Sequence, residues 1–390
     1  MSSKTVLPCK SRFDMRAWVA YLDTAAEGLP LQDSGKTLLE YFADKSSGTP
    51  GRTRMFQAKN DTVRAAATLL CTSERNVTFT GNATEALNLL GNSIRWRPGD
   101  EVLITDLEFS SNVVCWLRLR EHGVRVEVIR SDLGVIELEQ FTSRLHPATR
   151  LVSVSQVSYK TGTQLPYLLE LSREVHRAGA LFVVDATQAL GRVPVTVEGV
   201  DFLVASSYKW LLGVHGLGLV YCAPHLLEEL APGAAGWYSV TDSFAPDRFE
   251  RFALQDGAGR FTGGMPNFPS IYVMRESLGF LMRLGIEQID LELKPLVKQL
   301  REGIASLGFK LLTPLDEIYA SGIVSFAHGA PEDLGRALRE KGVIVWAGDG
   351  RLRASVHIYN DEDDVSSLVM SLRELEHLCS PAKGRYCRTL

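Results

Sequence analysis

The sequence predicts an α/β protein, with a large domain on a mostly parallel sheet and a smaller C-terminal α+β domain. Helical patterns alternate with short β-rich runs from about residue 60 to residue 222, which is typical of βαβ units. The run LFVVD, at 181–185, is apolar at consecutive positions, as expected of a strand covered on both faces. A length of 390 residues also favours two domains.

The predicted elements follow one another along the chain. The β-rich runs lie at 76–81, 97–106, 124–132, 149–158, 180–186, 201–207 and 217–222. The spacing of apolar residues predicts helices at 60–70, 83–94, 111–123, 168–179 and 270–285. The stretch Ala231–Pro269 is rich in glycine, proline and aromatic residues, which predicts long loops.

These patterns divide the chain into four parts. We expect an N-terminal segment at 1–20 that packs with the small domain, and a large domain at 21–269 that carries the ligand site. The small domain is expected at 270–378, and a basic tail at 379–390.

Composition and charge exclude several classes of protein. The net charge is −4 with acidic and basic residues well mixed, so no nucleic-acid partner is expected. No apolar run reaches membrane-spanning length, and the N-terminus lacks the apolar stretch of a signal peptide. The six cysteines are scattered without metal-binding spacing, which predicts reduced thiols and no metal site. We therefore expect a cytoplasmic protein that does not associate with membranes.

Three polar residues follow two successive predicted strands. Asp185 ends the run LFVVD, Gln188 comes three residues later, and Lys209 follows the next strand. Ligands bind beyond the carboxyl ends of parallel strands, so we expect these side chains to meet at one edge of the sheet. Pyridoxal 5′-phosphate requires a lysine for its Schiff base and a carboxylate for its pyridinium nitrogen. The turn Gly81–Thr84, between a strand and a helix, offers backbone N–H groups and a hydroxyl for the phosphate.

Most of the chain carries motifs of one known family. The matching segments are YLDTAAEGLP, FTGNATEALNLLG, DLEFSSNVVCW, QVSYKTGTQLP, DATQALG with SSYKWLLGVHGLG, RFTGGMPNF and RLRASVHIYNDEDDV. In this order they resemble the class-V aminotransferases, pyridoxal phosphate enzymes that include cysteine desulfurases, selenocysteine lyase, kynureninase and isopenicillin N epimerase-like proteins. The resemblance implies the type I fold of pyridoxal phosphate-dependent transferases, and a homodimer with active sites at the interface.

The resemblance also implies a role for each matching residue. Lys209 is expected to hold the cofactor and shuttle protons, while Asp185 and Gln188 contact the ring nitrogen and the phenolic oxygen. Phe109 is expected to stack on the ring, and Arg353 to bind the substrate carboxylate. Further cofactor contacts are expected from Ala83, Thr84, Ser206, Tyr208, Tyr159 and Met265. Further substrate contacts are expected from Tyr159, Arg52 and Arg54.

Two departures from the family pattern bear on the reaction. Phe109 occupies the position where desulfurases have histidine, so a proton-transferring group is missing at the face of the cofactor ring on which Phe109 is expected to stack. Desulfurases also attack the substrate sulfur with a cysteine ahead of the arginine, whereas the segment VIVWAGDGRLRAS contains none. Cysteine desulfurase activity is therefore disfavoured. In the same segment GDG predicts a hairpin turn. Trp346, Asp349 and Arg351 are candidates for shaping the pocket, Asp349 by contact with a basic group of the substrate and Arg351 by contact with a second carboxylate.

The sequence leaves three reactions open at Cα of an L-amino acid. Transamination is the leading expectation, and a cysteine-independent C–S lyase acting by β-elimination is the alternative. Epimerisation comes third, because it needs a proton donor opposite Lys209 and Phe109 cannot serve as one. A nicotinamide-dependent dehydrogenase is not favoured, since no GxGxxG motif opens a βα unit.

Overall fold

The computed structural model describes residues 9–375 and confirms the predicted α/β class. The strands are β1 (Ala20–Tyr21), β2 (Val77–Thr80), β3 (Glu101–Thr105), β4 (Arg125–Ile129), β5 (Thr149–Ser155), β6 (Leu181–Asp185), β7 (Phe202–Ser206), β8 (Gly218–Cys222), β9 (Ile323–Ala327), β10 (Val343–Ile344), β11 (Trp346–Gly348) and β12 (Arg351–Ser355). The helices are α1 (Ser34–Ser46), α2 (Thr49–Leu69), α3 (Ala83–Ser93), α4 (Ser111–Leu117), α5 (Leu138–Thr142), α6 (Leu168–Arg177), α7 (Pro224–Glu229), α8 (Phe268–Leu284), α9 (Ile286–Ser306), α10 (Pro331–Glu340) and α11 (Glu362–Glu374).

The large sheet has seven strands in the order β2-β8-β7-β6-β5-β3-β4. Only β8 runs against its neighbours, pairing antiparallel with β2 and β7, while the other pairs are parallel. Every predicted β-rich run between residues 76 and 222 contains one of these strands. The expectation of a mostly parallel sheet is therefore confirmed.

Strand β6 explains why an unbroken apolar run marks the centre of this sheet. Phe182 and Val184 belong to the hydrophobic cluster on one face, and Val183 belongs to the cluster on the other. Successive side chains of a strand point to opposite faces, so a strand covered on both faces needs apolar residues at every position. Asp185, which is polar, lies at the carboxyl end of the strand, where the apolar packing on both faces ends.

Two helices differ in length from the sequence prediction. Helix α2 begins at Thr49 rather than near residue 60, because Gly48 precedes it with φ of +65° and Pro50 suits its first turn. Helix α4 ends at Leu117 and has non-helical backbone angles at Asn112. A 3₁₀ segment follows it, and Gly123 ends this segment with φ of +77°.

The C-terminal part contains a second sheet, with the antiparallel order β11-β12-β9. The two residues that join β11 to β12, Asp349 and Gly350, have φ of +47° and +70°. Two positive φ values in a two-residue loop define a type I′ hairpin turn, which confirms the turn predicted from GDG.

The N-terminal segment joins the two parts of the molecule, since β1 pairs in parallel with β10. Helix α8 packs against α1 and α2, while α9 packs against β9 and α11. The domain boundaries at residues 20, 269 and 378 stay predictions. The predicted tail at 379–390 and the first eight residues lie outside the described part of the chain. None of the helices between residues 9 and 375 combines the length and the apolar composition that a membrane crossing needs.

Candidate active site

A cavity of about 430 Å³ lies at the carboxyl ends of the parallel strands β5, β6 and β7. Its lining residues are Asn82, Ala83, Thr84, Phe109, Ser111, Ser155, Tyr159, Asp185, Thr187, Gln188, Ser206, Tyr208 and Lys209. Every residue predicted to contact the cofactor is in this set except Met265. The cavity thus occupies the edge of the sheet where the sequence places the ligand.

Lys209 lies three residues beyond β7, and its side chain is buried. Its Nζ is 5.4 Å from the centre of the Phe109 ring and 5.6 Å from the centre of the Tyr208 ring. Burial, followed by the guanidinium of Arg353, lowers the pKa of the amine to about 8, although Asp185 acts in the opposite direction. A lowered pKa leaves more of the amine neutral, as a nucleophile and base requires.

Close backbone contacts fix the loop that carries Lys209. The N–H of Gly28 donates to the carbonyl of Tyr208 at 2.9 Å, and a Cβ on Gly28 would lie 2.0 Å from the carbonyl oxygen of Lys209. Leu212, which donates its N–H to that carbonyl at 3.1 Å, has φ of +56°, in the left-handed region that a leucine rarely adopts. The position of the lysine is therefore set by the main chain.

Asp185 provides a buried carboxylate at the end of β6. Its Oδ1 accepts a hydrogen bond from the backbone N–H of Thr187 at 2.8 Å. Burial raises the pKa of the carboxyl, while the Thr187 hydrogen bonds and the Lys209 charge act against this shift. A cationic group in the cavity would favour the charged form of the carboxyl, so the site is suited to a protonated ring nitrogen.

Gln188 is held at both ends of its amide. Its Oε1 accepts a hydrogen bond from the indole N–H of Trp210 at 2.7 Å, and its Nε2 donates to the carbonyl of Ala25 at 2.9 Å. One Nε2 hydrogen is left for a ligand, because a carboxamide nitrogen carries two. The amide is thus oriented before any ligand binds.

The start of α3 forms a second polar wall. Asn82 caps this helix by accepting a hydrogen bond from the N–H of Glu85 at 2.9 Å. The hydroxyls of Thr84 and Ser111 are 2.7 Å apart. Gly218 of β8 permits the close approach, since a Cβ there would lie 2.6 Å from the carbonyl carbon of Asn82. Hydroxyls beside the free N–H groups of a first helical turn suit a phosphate.

Phe109 forms the remaining wall and is 44% exposed. Its ring meets the ring of Tyr159 edge-on, with 5.0 Å between centres. The preceding residue, Glu108, anchors this segment with a buried carboxyl that accepts hydrogen bonds from the side chains of Thr105, Asn112 and Ser155. An exposed aromatic face on an anchored segment is suited to stacking on a flat ligand.

Arg353, the predicted carboxylate ligand, does not line the cavity but lies behind Tyr159. Its Nη1 donates to the carbonyl of Tyr159 at 2.9 Å, and its Nη2 is 4.0 Å from Oδ1 of Asp23. Burial lowers the pKa of the guanidinium to about 10 and raises the pKa of Asp23 to about 7. Arg353 is therefore a buried cation with an incompletely charged counter-ion.

Known proteins share both this sequence pattern and this fold. The family model described as aminotransferase class-V matches residues 20–368. The chain belongs to this family. The probable cysteine desulfurase of Methanothermobacter thermautotrophicus is 30% identical, over 91% of this chain and 94% of its own length.

Solved structures of a cysteine desulfurase and of a cystine C–S lyase share the fold. The apo cysteine desulfurase of Thermococcus onnurineus has a TM-score of 0.88 at 24% identity, with 96% of this chain and 99% of that one covered. The cystine C–S lyase C-DES, solved with cysteine persulfide, has a TM-score of 0.84 at 21% identity, with coverage of 91% and 97%. The type I fold predicted from the resemblance is confirmed.

Membership of the class-V aminotransferases confirms that the chain is an enzyme and that its cofactor is pyridoxal 5′-phosphate. The cavity fits this group on its own features. A buried carboxylate, a lysine of lowered pKa, an exposed aromatic face and a phosphate-suited helix start surround one volume.

Three predicted residues of this enzyme lie away from the cavity. Met265, 42% exposed, belongs to the loop before α8, and Arg52 is an exposed residue of α2. Arg54, also on α2, forms an ion pair with Asp44. Their predicted contacts stay predictions.

The structure adds cavity residues that sequence reasoning missed. They are Ser111, Ser155 and Thr187, whereas Asn82 belongs to the turn that the sequence predicts to bind the phosphate. Ser155 ends β5 just as Asp185 ends β6, so the rule that ligands meet strand ends would have found it. The sequence predicts a cavity position for Thr187 less directly, because that position depends on the turn after β6.

The cysteines between residues 9 and 375 do not line the cavity of this enzyme. Cys115 and Cys222 are buried, and burial raises the pKa of each thiol to about 12, which disfavours the reactive thiolate. Cys71 is exposed elsewhere, and Cys379 and Cys387 lie outside the described residues. Within the described range, no three His, Cys, Asp or Glu side chains are arranged to hold a metal ion.

Proposed function

We propose that this enzyme is a C–S lyase that releases a thiol from a sulfur-substituted L-amino acid by β-elimination. One observation carries the proposal: the cavity combines a lysine and a carboxylate for chemistry at Cα, while no cysteine from residues 9–375 lines it. The names of the relatives support a sulfur-containing substrate, because they include cysteine desulfurases and a cystine C–S lyase. Elimination breaks a C–S bond without a protein thiol.

In this proposal each group of cavity residues contacts a different part of the cofactor. Asp185 pairs with the ring nitrogen, Gln188 donates to the phenolic oxygen, and Phe109 stacks on the ring. The phosphate is held at the start of α3 by Ala83 and Thr84, with Ser206, Ser111 and the Tyr208 hydroxyl nearby.

Lys209 performs the proton transfers. Pyridoxal phosphate, when bound, supplies an electron sink for the pair left at Cα. The neutral amine of Lys209 removes the Cα proton, the C–S bond breaks, and the sulfur leaves with the bonding pair. The Lys209 ammonium then returns a proton to the leaving sulfur. The enamine hydrolyses, so substrate and water give thiol, pyruvate and ammonium.

Arg353 binds the substrate α-carboxylate. Its guanidinium is buried, and its counter-ion Asp23 lies at 4.0 Å with a pKa raised to about 7. A fully charged carboxylate is a better partner than this weakly ionised one, and guanidinium favours a bidentate contact. Tyr159, whose carbonyl accepts a hydrogen bond from Arg353, lines the cavity, so the arginine is in contact with a residue of the cavity wall.

Transamination, the leading expectation from the sequence, begins with the same proton removal. None of the contacts around the cavity favours it over elimination, so it is an outcome of the test. Epimerisation needs a second proton donor opposite Lys209, and the phenyl ring of Phe109, whose centre is 5.4 Å from Nζ of Lys209, cannot donate a proton.

The test is a product analysis of the holoenzyme with S-substituted L-cysteines. We expect pyruvate, ammonium and thiol in equal amounts, with the cofactor absorbance restored after each turnover. Lasting conversion to the pyridoxamine form with release of a sulfur-containing keto acid would replace elimination with transamination.

We propose further that the enzyme is a homodimer, as the resemblance implies. The long loop between α7 and α8 exposes several large apolar side chains: Trp237, Phe244, Phe249, Phe252 and Met265. A cluster of exposed aromatic residues is suited to burial against a partner. Light scattering after gel filtration tests this proposal, and a mass near 43.0 kDa, that of one chain, would contradict it.

A further inference from the structure

Strand β12 places two guanidinium groups on one face. Arg351 and Arg353 are two residues apart, so their side chains leave the strand on the same side. Trp346 of β11 pairs directly with Arg353, and its ring centre is 4.7 Å from Cζ of Arg351 and 5.2 Å from Cζ of Arg353. The type I′ turn between the strands produces this arrangement.

The two arginines retain hydrogen-bonding capacity that the described chain does not use. Among residues 9–375, the buried side-chain atoms without a hydrogen-bond partner include Nε and Nη2 of Arg351 and Nε of Arg353. Arg351 is 2% exposed and has one side-chain contact to an acid, from Nη1 to Oδ2 of Asp349 at 3.3 Å. Asp349 is itself 69% exposed, so water screens that contact. Buried charged donors normally have partners.

The unused donors of Arg351 lie next to the active-site cavity. The Cζ of Arg351 is 5.4 Å from the centre of the Tyr159 ring, and that ring belongs to a residue lining the cavity. The backbone carbonyl of the same residue binds Arg353. Tyr159 is half-buried, lines the cavity and contacts both arginines, Arg353 through its carbonyl and Arg351 through its ring.

We propose that Arg351 binds a second anionic group of the substrate, carried on the far side of its sulfur atom. This inference rests on the proposed function and specifies its substrate class as an S-substituted cysteine with an acidic substituent. Residues two apart on a strand are separated by about 6.6 Å. In S-carboxymethyl-L-cysteine five bonds separate the two carboxyl carbons, which is a similar span.

The charges around the two arginines favour a ligand that carries two carboxylates. Two guanidinium groups face one exposed carboxylate, Asp349, and one buried carboxyl, Asp23, whose pKa is raised to about 7. The neighbouring rings of Tyr159 and Trp346 are neutral. A ligand with an α-carboxylate and a distal carboxylate supplies one fully charged, buried partner for each guanidinium group.

The test compares two substrates that differ in charge and little in shape. Binding of S-carboxymethyl-L-cysteine and of its neutral amide, S-carbamoylmethyl-L-cysteine, to the holoenzyme is followed through the cofactor absorbance. We expect the acid to bind about tenfold to a hundredfold more tightly than the amide, as a hydrogen-bonded buried charge pair provides. Equal affinities would overturn the proposal.

Variants of Arg351 separate recognition from a structural role. In Arg351→Met the ratio of the two affinities is expected to fall close to one, and in Arg351→Lys to recover in part. The matched control is Arg336→Met, which removes an exposed arginine of α10 paired with Asp333 and should keep the wild-type ratio. Equal weakening of both ligands in Arg351→Met would assign the residue a structural role and contradict the proposal.

The same titrations keep this proposal distinct from the proposed function. The cofactor absorbance responds to any amino acid that reacts with it, whether or not thiol is released. Preference for the acid without pyruvate formation would leave the second anion site standing and remove the lyase activity. Pyruvate formation without any preference for the acid over the amide would support the lyase activity and remove the second anion site.

Discussion

The two ends of the active site are built in different ways. At the cofactor end, the side chains come from the ends of parallel strands, and Gln188 and Glu108 have partners fixed within the chain. At the arginine end, Arg351 and Arg353 come from an antiparallel hairpin, and some of their buried N–H groups have no partner among the described residues. The first end is preorganised for a group common to the family, and the second is incomplete without an anionic ligand.

From this difference we expect the cofactor end to determine the rate of the reaction and the arginine end to determine which substrate binds. Changes at the cofactor end should affect turnover of every substrate, because they alter proton transfer or the cofactor itself. Changes at the arginine end should alter which substrate binds. Variants of Lys209, Asp185 and Phe109 test the cofactor end, and the Arg351 variants test the arginine end.

Lys209→Ala is expected to lower kcat by about 10³-fold or more, since both proton transfers and the covalent link to the cofactor depend on this amine. After borohydride treatment, mass spectrometry should find the cofactor attached to wild-type chain and absent from the variant. Lys59→Ala is the control, because Lys59 is a half-buried lysine whose pKa is also lowered by burial and which lies outside this cavity. Cofactor trapped on Lys209→Ala would contradict the assignment.

Asp185→Asn is expected to lower kcat by about a hundredfold, because a neutral amide cannot keep the ring nitrogen protonated. The cofactor absorbance should shift in the same variant. Asp201→Asn is the matched control, since Asp201 is a buried aspartate just before β7 that binds His176 and His225. That change should lower thermal stability and leave the cofactor spectrum as in the wild type.

Cofactor capture by the apoprotein is expected to follow the ionisation of Lys209. The pKa of this amine is lowered to about 8, so its neutral fraction rises with pH up to about 8 and then levels off. Stopped-flow absorbance from pH 6 to pH 10 should show the rate falling about tenfold per pH unit below the midpoint. A rate that keeps rising up to pH 10 would indicate a lysine of ordinary pKa.

Phe109→Ala is expected to weaken pyridoxal phosphate binding by about threefold to tenfold, which is the contribution of one aromatic stacking contact. Equilibrium dialysis of the cofactor measures this effect. Phe109→Tyr should bind the cofactor as the wild type does, because it retains the stacking surface. Unchanged binding in Phe109→Ala would remove Phe109 from the cofactor contacts.

The sequence predicts which residues lie together around the cavity, because the signals for them are local. An apolar run that ends in Asp185 identifies a buried strand and its polar end, and Lys209 follows the next strand in the same way. Parallel strands bring their carboxyl ends to one edge, so proximity follows from topology. Ser155 was missed because no family role had been assigned to it, although it ends β5 by the same rule.

The arginine end is harder to predict because it depends on side chains from distant segments. The turn at Asp349 and Gly350 is local and was predicted. The position of Arg353 behind Tyr159 is not local, since it follows from packing β12 beside the loop after β5. Likewise Asp23 comes near Arg353 only because the N-terminal segment pairs with the C-terminal strands, as the bridge from Asp23 to Ser355 illustrates.

The most direct measurement of the central claim is the fate of the carbon skeleton when the holoenzyme cleaves L-cystine or an S-substituted cysteine. Elimination by Lys209 leaves pyruvate and ammonium, whereas attack of a protein thiolate on the substrate sulfur breaks the same C–S bond and leaves alanine and a disulfide, protein–S–S–R, that keeps the sulfur and its substituent R on the chain. We predict pyruvate in an amount equal to the thiol or persulfide released, with the same yield from the Cys379→Ser/Cys387→Ser double variant. Alanine as the product, lost in that double variant, would contradict the account.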